Sequence, residues 1–365
     1  MRKFIALLAA GAMALTMSAC GRADTATPAA TGSAGAAAKG TIGVAMPTKT
    51  SERWIKDGEY MKQTLEAAGY TVNLQYANDD IPTQVTQVND MVTKNNQVLV
   101  VASIDGVALK GALKDAKDAG IPVIAYDRLL RETDAVEYYT TFDNFKVGVQ
   151  QGESLIKGLE ASGNPKPWNV ELFAGSPDDN NAGFFFKGAM SVIQPKIDSG
   201  DIKVQSGETD FNTVATLRWD AAVAKKRMEN VLTKSYSDKD VHGVLAPYDG
   251  ISRGIIAALK GAGYSGDKKL PVVTGQDAEL ESVKSILAGE QYSSIFKDTR
   301  KLAESTVKMI QEIAEKKTVT TNDTKTYDNG VKVVPTLLLE PLPIDKSNAK
   351  QILVDAKYYT EAQLS

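Results

Sequence analysis

The sequence predicts an α/β protein with two doubly wound, parallel-sheet lobes. Near-continuous apolar strand segments alternate with helical ones, that alternation runs through two successive sets, and the 325 residues from Thr41 onward exceed what one core usually serves. Strands apolar along both faces need cover on both sides, which a parallel sheet flanked by helices provides.

The first set starts with "TIGVAMP" (41–47), a short apolar strand, followed by "RWIKDGEYMKQTLEAAGY", whose apolar residues recur at helical spacing up to Gly69. "TVNLQYA" (71–77) alternates as a strand, "IPTQVTQVNDMVTKN" is helical, and "QVLVVAS" (97–103) is a strand again. "GVALKGALKDAKDAG" reads as a helix ending at Gly120, and "IPVIAYD" (121–127) is the next strand. After "YYTTFDN" the second set begins with the helical "FKVGVQQGESLIKGLEA" and the strand "WNVELFA" (168–174). It continues through "NNAGFFFKGAMSVIQPKI", "IKVQSGE", "AAVAKKRMENVLTKSY", "VHGVLAP", "GISRGIIAALKGAG" and "LPVVTGQ". A helix over 279–289, "YSSIF", a long helix over 299–316 and "VKVVPTLLL" close the series.

The N-terminus has a different character. Arg2 and Lys3 precede an uncharged apolar stretch from Phe4 to Met17, shorter than the ~20 residues a spanning helix needs. It reads as a secretory signal over residues 1–19. "MSAC" then sets small residues before Cys20, the chain's one cysteine, and resembles the lipobox of bacterial lipoproteins, in which the cysteine is lipidated. Residues 20–40 lack large apolar side chains and read as a flexible tether. The expected location is therefore the outer face of the cytoplasmic membrane, held by lipid alone.

Composition removes several functions. Of 42 basic residues all but Arg2 and Lys3 survive cleavage, against 45 acidic ones, so there is no basic excess for nucleic acid. With Cys20 committed to the anchor, neither a disulfide, a cysteine nucleophile nor a Cys/His metal cluster is expected. His242 lies ahead of a strand, a poor place for a general base. Adjacent Asp178 and Asp179 do not flank a scissile bond as a glycosidase pair would, and no phosphate-binding glycine loop occurs. Neither an enzyme nor a cofactor is expected.

In open parallel sheets ligands bind beyond the carboxyl ends of the strands. Those ends read "PTKTSERW", "SIDG", "YDR", "FDN", "SPDDNN", "PYDG" and "GQDAE". Aspartate and asparagine there are partly explained as helix caps. Lys49, Arg53 and Arg128 are not, because cations are disfavoured at helix N-termini. Carboxylates, amides and guanidinium groups beside an aromatic ring suit a monosaccharide, whose hydroxyls donate and accept and whose C–H faces stack. Asp127 beside Arg128 fits the hydroxyls, and Trp54 and Trp219 are candidate platforms.

"IGVAMPTKTSERWIKDG", "QYANDDIPTQVTQ", "IPVIAYDRLLR", "ELFAGSPDDNNAGFFFKGAM" and "TGQDAELESVKSI" resemble the multiple-sugar-binding periplasmic proteins of bacterial ABC transporters. More distantly they are similar to the xylose-binding proteins, and the likeness runs over residues 41–360. It implies a type I periplasmic-binding-protein fold, two lobes joined by three crossovers, an aldose closed between them, and an ABC permease as partner. It also implies, as ligand-binding positions, Lys49, Arg53, Trp54, Asp127, Arg128, Asp179, Asn181, Trp219, Asp249 and Gln276. Crossovers are expected at Phe142–Asn144, at Gln276 and around Lys297. The first lobe is then 41–143 with 277–325, and the second 144–276 with 326–365, in a monomer. A sugar-sensing repressor would carry a helix-turn-helix where this chain has a leader. A receptor presenting its sugar to a sensor kinase or chemoreceptor remains the alternative to transport.

Overall fold

The computed structural model describes residues 39–265 and 268–365; the leader, Cys20 and most of the tether lie outside them. The first lobe contains β1 (Thr41–Met46), α1 (Glu52–Ala67), β2 (Thr71–Tyr76), α2 (Ile81–Thr93), β3 (Val98–Val101), α3 (Lys110–Asp118), β4 (Val123–Tyr126) and β5 (Val136–Phe142). The chain crosses to the second lobe with α4 (Asn144–Ala161), β6 (Trp168–Leu172), α5 (Asn180–Asp198), β7 (Ile202–Lys203) and α6 (Phe211–Val214). There follow α7 (Ala221–Ser235), β8 (Gly243–Leu245), α8 (Asp249–Gly261), β9 (Val272–Val273), α9 (Leu280–Ala288) and β10 (Ser293–Phe296). The last part comprises α10 (Thr299–Ala314), β11 (Thr336–Leu339), β12 (Leu342–Asp345), α11 (Ala349–Asp355) and α12 (Glu361–Leu364).

The first sheet is parallel throughout, in the order β2-β1-β3-β4-β5-β11, and the second runs β7-β6-β8-β9, also parallel. β10 extends the second sheet: Tyr292 N–H donates to Val273 O (2.9 Å) and Asp277 N–H to Ile295 O (2.8 Å), while β12 pairs antiparallel with β10. Ile42, Val44, Val98, Val100 and Ile124 are buried on one face of the first sheet against Leu302, Val307 and Ile310 of α10. Leu99, Val101 and Val123 are buried on the other against Val88, Met91 and Leu113. The doubly wound arrangement is the one the apolar strands require.

Two parts of the lobe assignment differ from the sequence expectation. Residues 278–296 belong to the second lobe, where Ala278, Val283, Ile286 and Phe296 share a core with Ile344, Leu353 and Tyr359. Residues 326–339 belong to the first, where β11 pairs with β5 and Tyr327 and Val334 join its core. The crossings therefore lie after Phe142, at Lys297–Asp298 and between β11 and β12, and Gln276 is not one of them. The helices near the C-terminus, α11 and α12, carry no expectation from the sequence.

In the second lobe α4 and α5 touch backbone to backbone. A Cβ on Gly188 would stand 2.1 Å from Phe145 O, and one on Gly148 would stand 2.0 Å from Phe185 O. Neither carbonyl can retreat without unseating a helix, and α5 carries Asp179, Asn181 and Phe185 at its N-terminal end. Gly183, on the exposed face of the same helix, has nothing within 4 Å of its would-be Cβ. Gly188→Ala is expected to lower unfolding stability by about 1–3 kcal/mol, and Gly183→Ala to raise it by about 0.5–1 kcal/mol. Chemical denaturation of the two variants checks this, and effects of the same sign would refute the close approach.

Candidate functional site

The strand ends of both sheets open onto one cavity of about 430 Å³ between the lobes. Of the expected residues, Arg53, Trp54, Asp127, Arg128, Asp179, Asn181, Trp219 and Gln276 line it. Lys49 does not: it is exposed, with Nζ 4.8 Å from the centroid of the Tyr76 ring. Asp249 does not either. It is fully buried behind the wall, accepting hydrogen bonds from Glu279 N–H, Gln291 Nε2 and Ser294 Oγ, each at 2.9 Å. A residue at a strand end can face the cavity or the body of its own lobe, and these three donors turn Asp249 inward.

Arg53 lies in the first turn of α1 and is 4 % exposed. Its Nε donates to Asp57 Oδ2 (2.9 Å), one helical turn on, while Nη1 stands 3.0 Å from Asp127 Oδ1 and 3.7 Å from Asp277 Oδ1. Burial works against the charged guanidinium, but Asp127, Asp57 and Asp277 outweigh it and hold Arg53 well above its ordinary pKa. Asp57 also accepts from the Tyr126 hydroxyl, and burial pushes its carboxyl up to about 6 although Arg53 pulls the other way. Trp54, next in sequence, is stacked upon by both neighbouring guanidinium groups, Arg53 at 4.4 Å and Arg128 at 5.0 Å from its ring centroid.

Asp127 follows β4 in the left-handed backbone region, φ 58°. Its carbonyl accepts from Asn181 Nδ2 (2.7 Å), Tyr139 Oη (2.6 Å) and Thr141 Oγ1 (3.0 Å), which fixes the carboxylate beside Arg53. Burial alone would raise its pKa. Arg53, Lys297 and Arg128 reverse that, so the carboxylate stays ionised below its usual value. Lys297, in the second crossing, stands 2.9 Å from Asp277 Oδ1 and 4.0 Å from Asp127 Oδ1. Two cations and two carboxylates thus alternate across the floor of the cavity.

In "SPDDNN" Asp179 has two tasks. Its Oδ1 caps α5 by accepting Asn181 N–H (2.9 Å), and its Oδ2 pairs with Arg128 Nε of the opposite lobe at 3.0 Å. Burial nevertheless raises its pKa. Asn181 is likewise committed to protein partners, with Oδ1 accepting from Asn144 Nδ2 (3.1 Å) and its Nδ2 donating to Asp127 O. Both residues line the cavity, and both stitch the lobes.

Sequence reasoning missed Asp277, Tyr248, Arg253, Phe185, Thr48, Ser51 and Arg218 as lining groups, and read Lys297 only as a crossing. Phe185 had a signal, standing four residues beyond Asn181 on one helical face. The aromatic wall is Phe185, Trp219 and Tyr248, with Trp219 edge-on to each at 6.2 Å between centroids. Arg53 Nη2, Gln276 Oε1 and Trp219 Nε1 are buried without a hydrogen-bonding partner among the described residues. A buried polar group without a partner costs about 1–3 kcal/mol, so the wall is built to receive a compact molecule that both donates and accepts.

Groups suited to chemistry lie elsewhere. His242 Nδ1 accepts the Asn169 amide beside β6, and burial lowers its pKa. Among the described residues no cluster of His, Cys, Asp and Glu is able to hold a metal ion.

Residues 42–318 match the periplasmic binding protein domain. Over 330 residues the chain is 58% identical to the multiple sugar-binding periplasmic receptor ChvE of Rhizobium radiobacter, covering 90% of this chain and 93% of that one. It is 34% identical over 323 residues to the D-xylose-binding periplasmic protein of Escherichia coli, covering 88% and 92%. Among solved structures, an ABC transporter solute binding protein of Clostridium phytofermentans with bound β-D-glucose aligns with a TM-score of 0.85 at 46% identity, covering 89% of this chain and 100% of that one.

Asp249 generates a pH dependence. Burial and the neighbouring Glu279 push its carboxyl up to about 8. A raised carboxyl contributes stability that is whole below its unfolded value near 3.9 and is lost as pH rises through the folded one. Between roughly pH 6 and pH 8, above the range of Asp57, stability is expected to fall by up to about 1.4 kcal/mol per pH unit. Asp249→Asn removes that slope. Overlaying profiles for the two proteins in denaturant unfolding would refute it.

Proposed function

The chain belongs to the periplasmic binding protein family, and we propose that it captures a monosaccharide between its lobes and delivers it to an ABC transporter permease. It is a binding protein and not an enzyme. The proposed ligand is an aldose such as glucose, xylose, galactose or arabinose. The relatives support this, being named for multiple sugars and for D-xylose, with glucose bound in the Clostridium protein. The observation that carries the reading is the buried, unpartnered set of Arg53 Nη2, Gln276 Oε1 and Trp219 Nε1 beside the ionised Asp127.

Closure is the proposed mechanism. Asp127, Arg128, Arg53 and Trp54 reach the ligand from the first lobe, Gln276, Asp277 and Trp219 from the second, and Lys297 from the crossing between them. Bonds across the cleft then hold the closed form: Asn181 Nδ2 to Asp127 O (2.7 Å), Arg128 to Asp179 (3.0 Å), Ser51 Oγ to Glu279 Oε1 (2.9 Å), and Leu280 N–H to Glu52 Oε2 (3.0 Å). A ligand that touches both lobes favours the state in which these bonds form. The permease would read the surface that closure creates. Retention at the membrane is assigned to lipid on Cys20, from the lipobox, and Cys20→Ser is expected to move the protein from the membrane to the soluble fraction.

A thermal-shift screen against monosaccharides tests the reading, since a ligand that binds the folded form alone raises Tm. At least one of the four aldoses is expected to raise it, with a smaller radius of gyration in scattering. A flat response to all four would sink the proposal. Asp127→Ala, which takes from the cavity a carboxylate beside Arg53 and leaves that cation to Asp57 and Asp277, is expected to cost about 2–4 kcal/mol of binding by calorimetry.

A further inference from the structure

The indole of Trp219 is held in place by an unusual local arrangement that the capture of a sugar does not itself require. The ring lies directly over Gly175, just past β6: a Cβ there would stand 2.0 Å from Cη2, 2.3 Å from Cζ2 and 2.4 Å from Cζ3 of the indole. Two successive residues, Arg218 and Trp219, adopt left-handed backbone, φ 56° and 57°. Neither is glycine, and each such residue stores roughly 1–3 kcal/mol of strain that its surroundings must hold.

The restraints are specific. Arg218 N–H donates to Ser176 Oγ (2.8 Å), which donates in turn to Asp178 Oδ1 (2.5 Å). The Arg218 guanidinium pairs with the same carboxylate through Oδ2. Thr216 N–H donates to Ala174 O (3.0 Å), tying the start of the turn to the segment that carries Gly175. Asp178 also faces the other lobe, its carbonyl accepting Gly106 N–H (3.2 Å). Edge-on contacts from Phe185 and Tyr248 confine the ring laterally. The outcome is an indole on the cavity wall with Nε1–H buried and without a partner among the described residues.

We propose that Gly175 is a positioning residue: by having no side chain it seats the Trp219 indole at the depth where face and N–H meet the bound sugar. This rests on the monosaccharide reading of the cavity. Gly175 makes no contact with the ligand and acts through Trp219 alone. The strained turn and the Ser176–Asp178–Arg218 contacts press the ring into the space the missing Cβ leaves. A methyl group there forces the ring out of this seat, because the atoms it would meet at 2.0–2.4 Å are carbons of the rigid indole and not the far end of a flexible side chain.

A double-mutant cycle read by calorimetry with glucose, xylose, galactose and arabinose tests it. Gly175→Ala is expected to weaken binding about tenfold, the scale of one lost aromatic contact. In the Trp219→Ala background, where the ring is gone and the methyl group has room, Gly175→Ala is expected to change affinity by less than about twofold. That background also restores the fold if the single variant is unstable, so circular dichroism of both belongs in the experiment. Gly183→Ala, on the exposed face of α5, serves as the neutral control. Equal losses with and without the indole, or wild-type affinity in Gly175→Ala, would overturn the positioning role while leaving sugar capture standing. Wild-type protein that binds none of the four sugars would overturn both.

Discussion

A single guanidinium, that of Arg53, organises the cavity. It is buried in the first turn of α1 and meets Asp57 behind it, Asp127 beside it and Asp277 on the opposite lobe. An isolated buried cation is very costly, so this residue is tolerable in the fold only with its carboxylates around it. The dependence runs both ways. Asp127 stays ionised because Arg53, Lys297 and Arg128 overcome its burial, and Asp57, with less help, is left titrating near 6. The charge pattern that faces a ligand is therefore set by partners behind the wall as much as by residues on it.

The same charges link the lobes. Asp127 and Asp277 come from different lobes, and Arg53 and Lys297 bridge them. Like charges would repel across that gap without the cations between, so the ionic arrangement of the floor is itself a contact between the lobes. Hydrogen bonds to glutamate carboxylates also cross the cleft, from Ser51 to Glu279 and from the Leu280 amide to Glu52, and both acceptors are satisfied within the protein. Selectivity is left to the groups whose hydrogen bonds the protein does not itself complete. Asn181 and Asp179 illustrate the difference: both line the cavity, yet their polar atoms are taken up by capping and by the opposite lobe.

Much of this was legible in the sequence, and the failures have physical causes. Strand-then-helix alternation located the sheet edges, and an arginine at the start of a helix, where the dipole disfavours it, singled out Arg53, which lines the cavity. The same reasoning failed for Lys49, because an exposed turn residue can satisfy its charge with water and an aromatic face. Asp249 failed because position along a strand fixes which end a residue occupies and not which way its side chain points; Gln291 and Ser294, some forty residues on, decide that. Lobe boundaries went astray where pairing is long-range. Nothing local tells β11 that its neighbour is β5, or β10 that it extends the second sheet. Asp277 and Lys297 were hidden for the same reason, since their meeting with Arg53 depends on how the lobes come together.

Backbone strain shows where the fold gives up stability for placement. Asp127, Arg218, Trp219 and Asp277 all have positive φ and all line the cavity, and Ala278, the next residue, shares the conformation. Glycine would adopt each of these conformations more cheaply. Each residue instead carries a side chain whose direction depends on the strained backbone: the carboxylates at Arg53 and Lys297, the guanidinium at Asp178, the indole over Gly175. At Ala278 the only side chain is a methyl group, but its amide donates to Ser294 Oγ (3.1 Å) and its carbonyl accepts from Tyr359 Oη (3.0 Å), so the turn is clamped from both sides. Ser294 is also a partner of Asp249. The buried carboxylate that sequence reasoning placed against the ligand thus acts one layer back, holding the turn that carries Gln276 and Asp277 to the cavity wall.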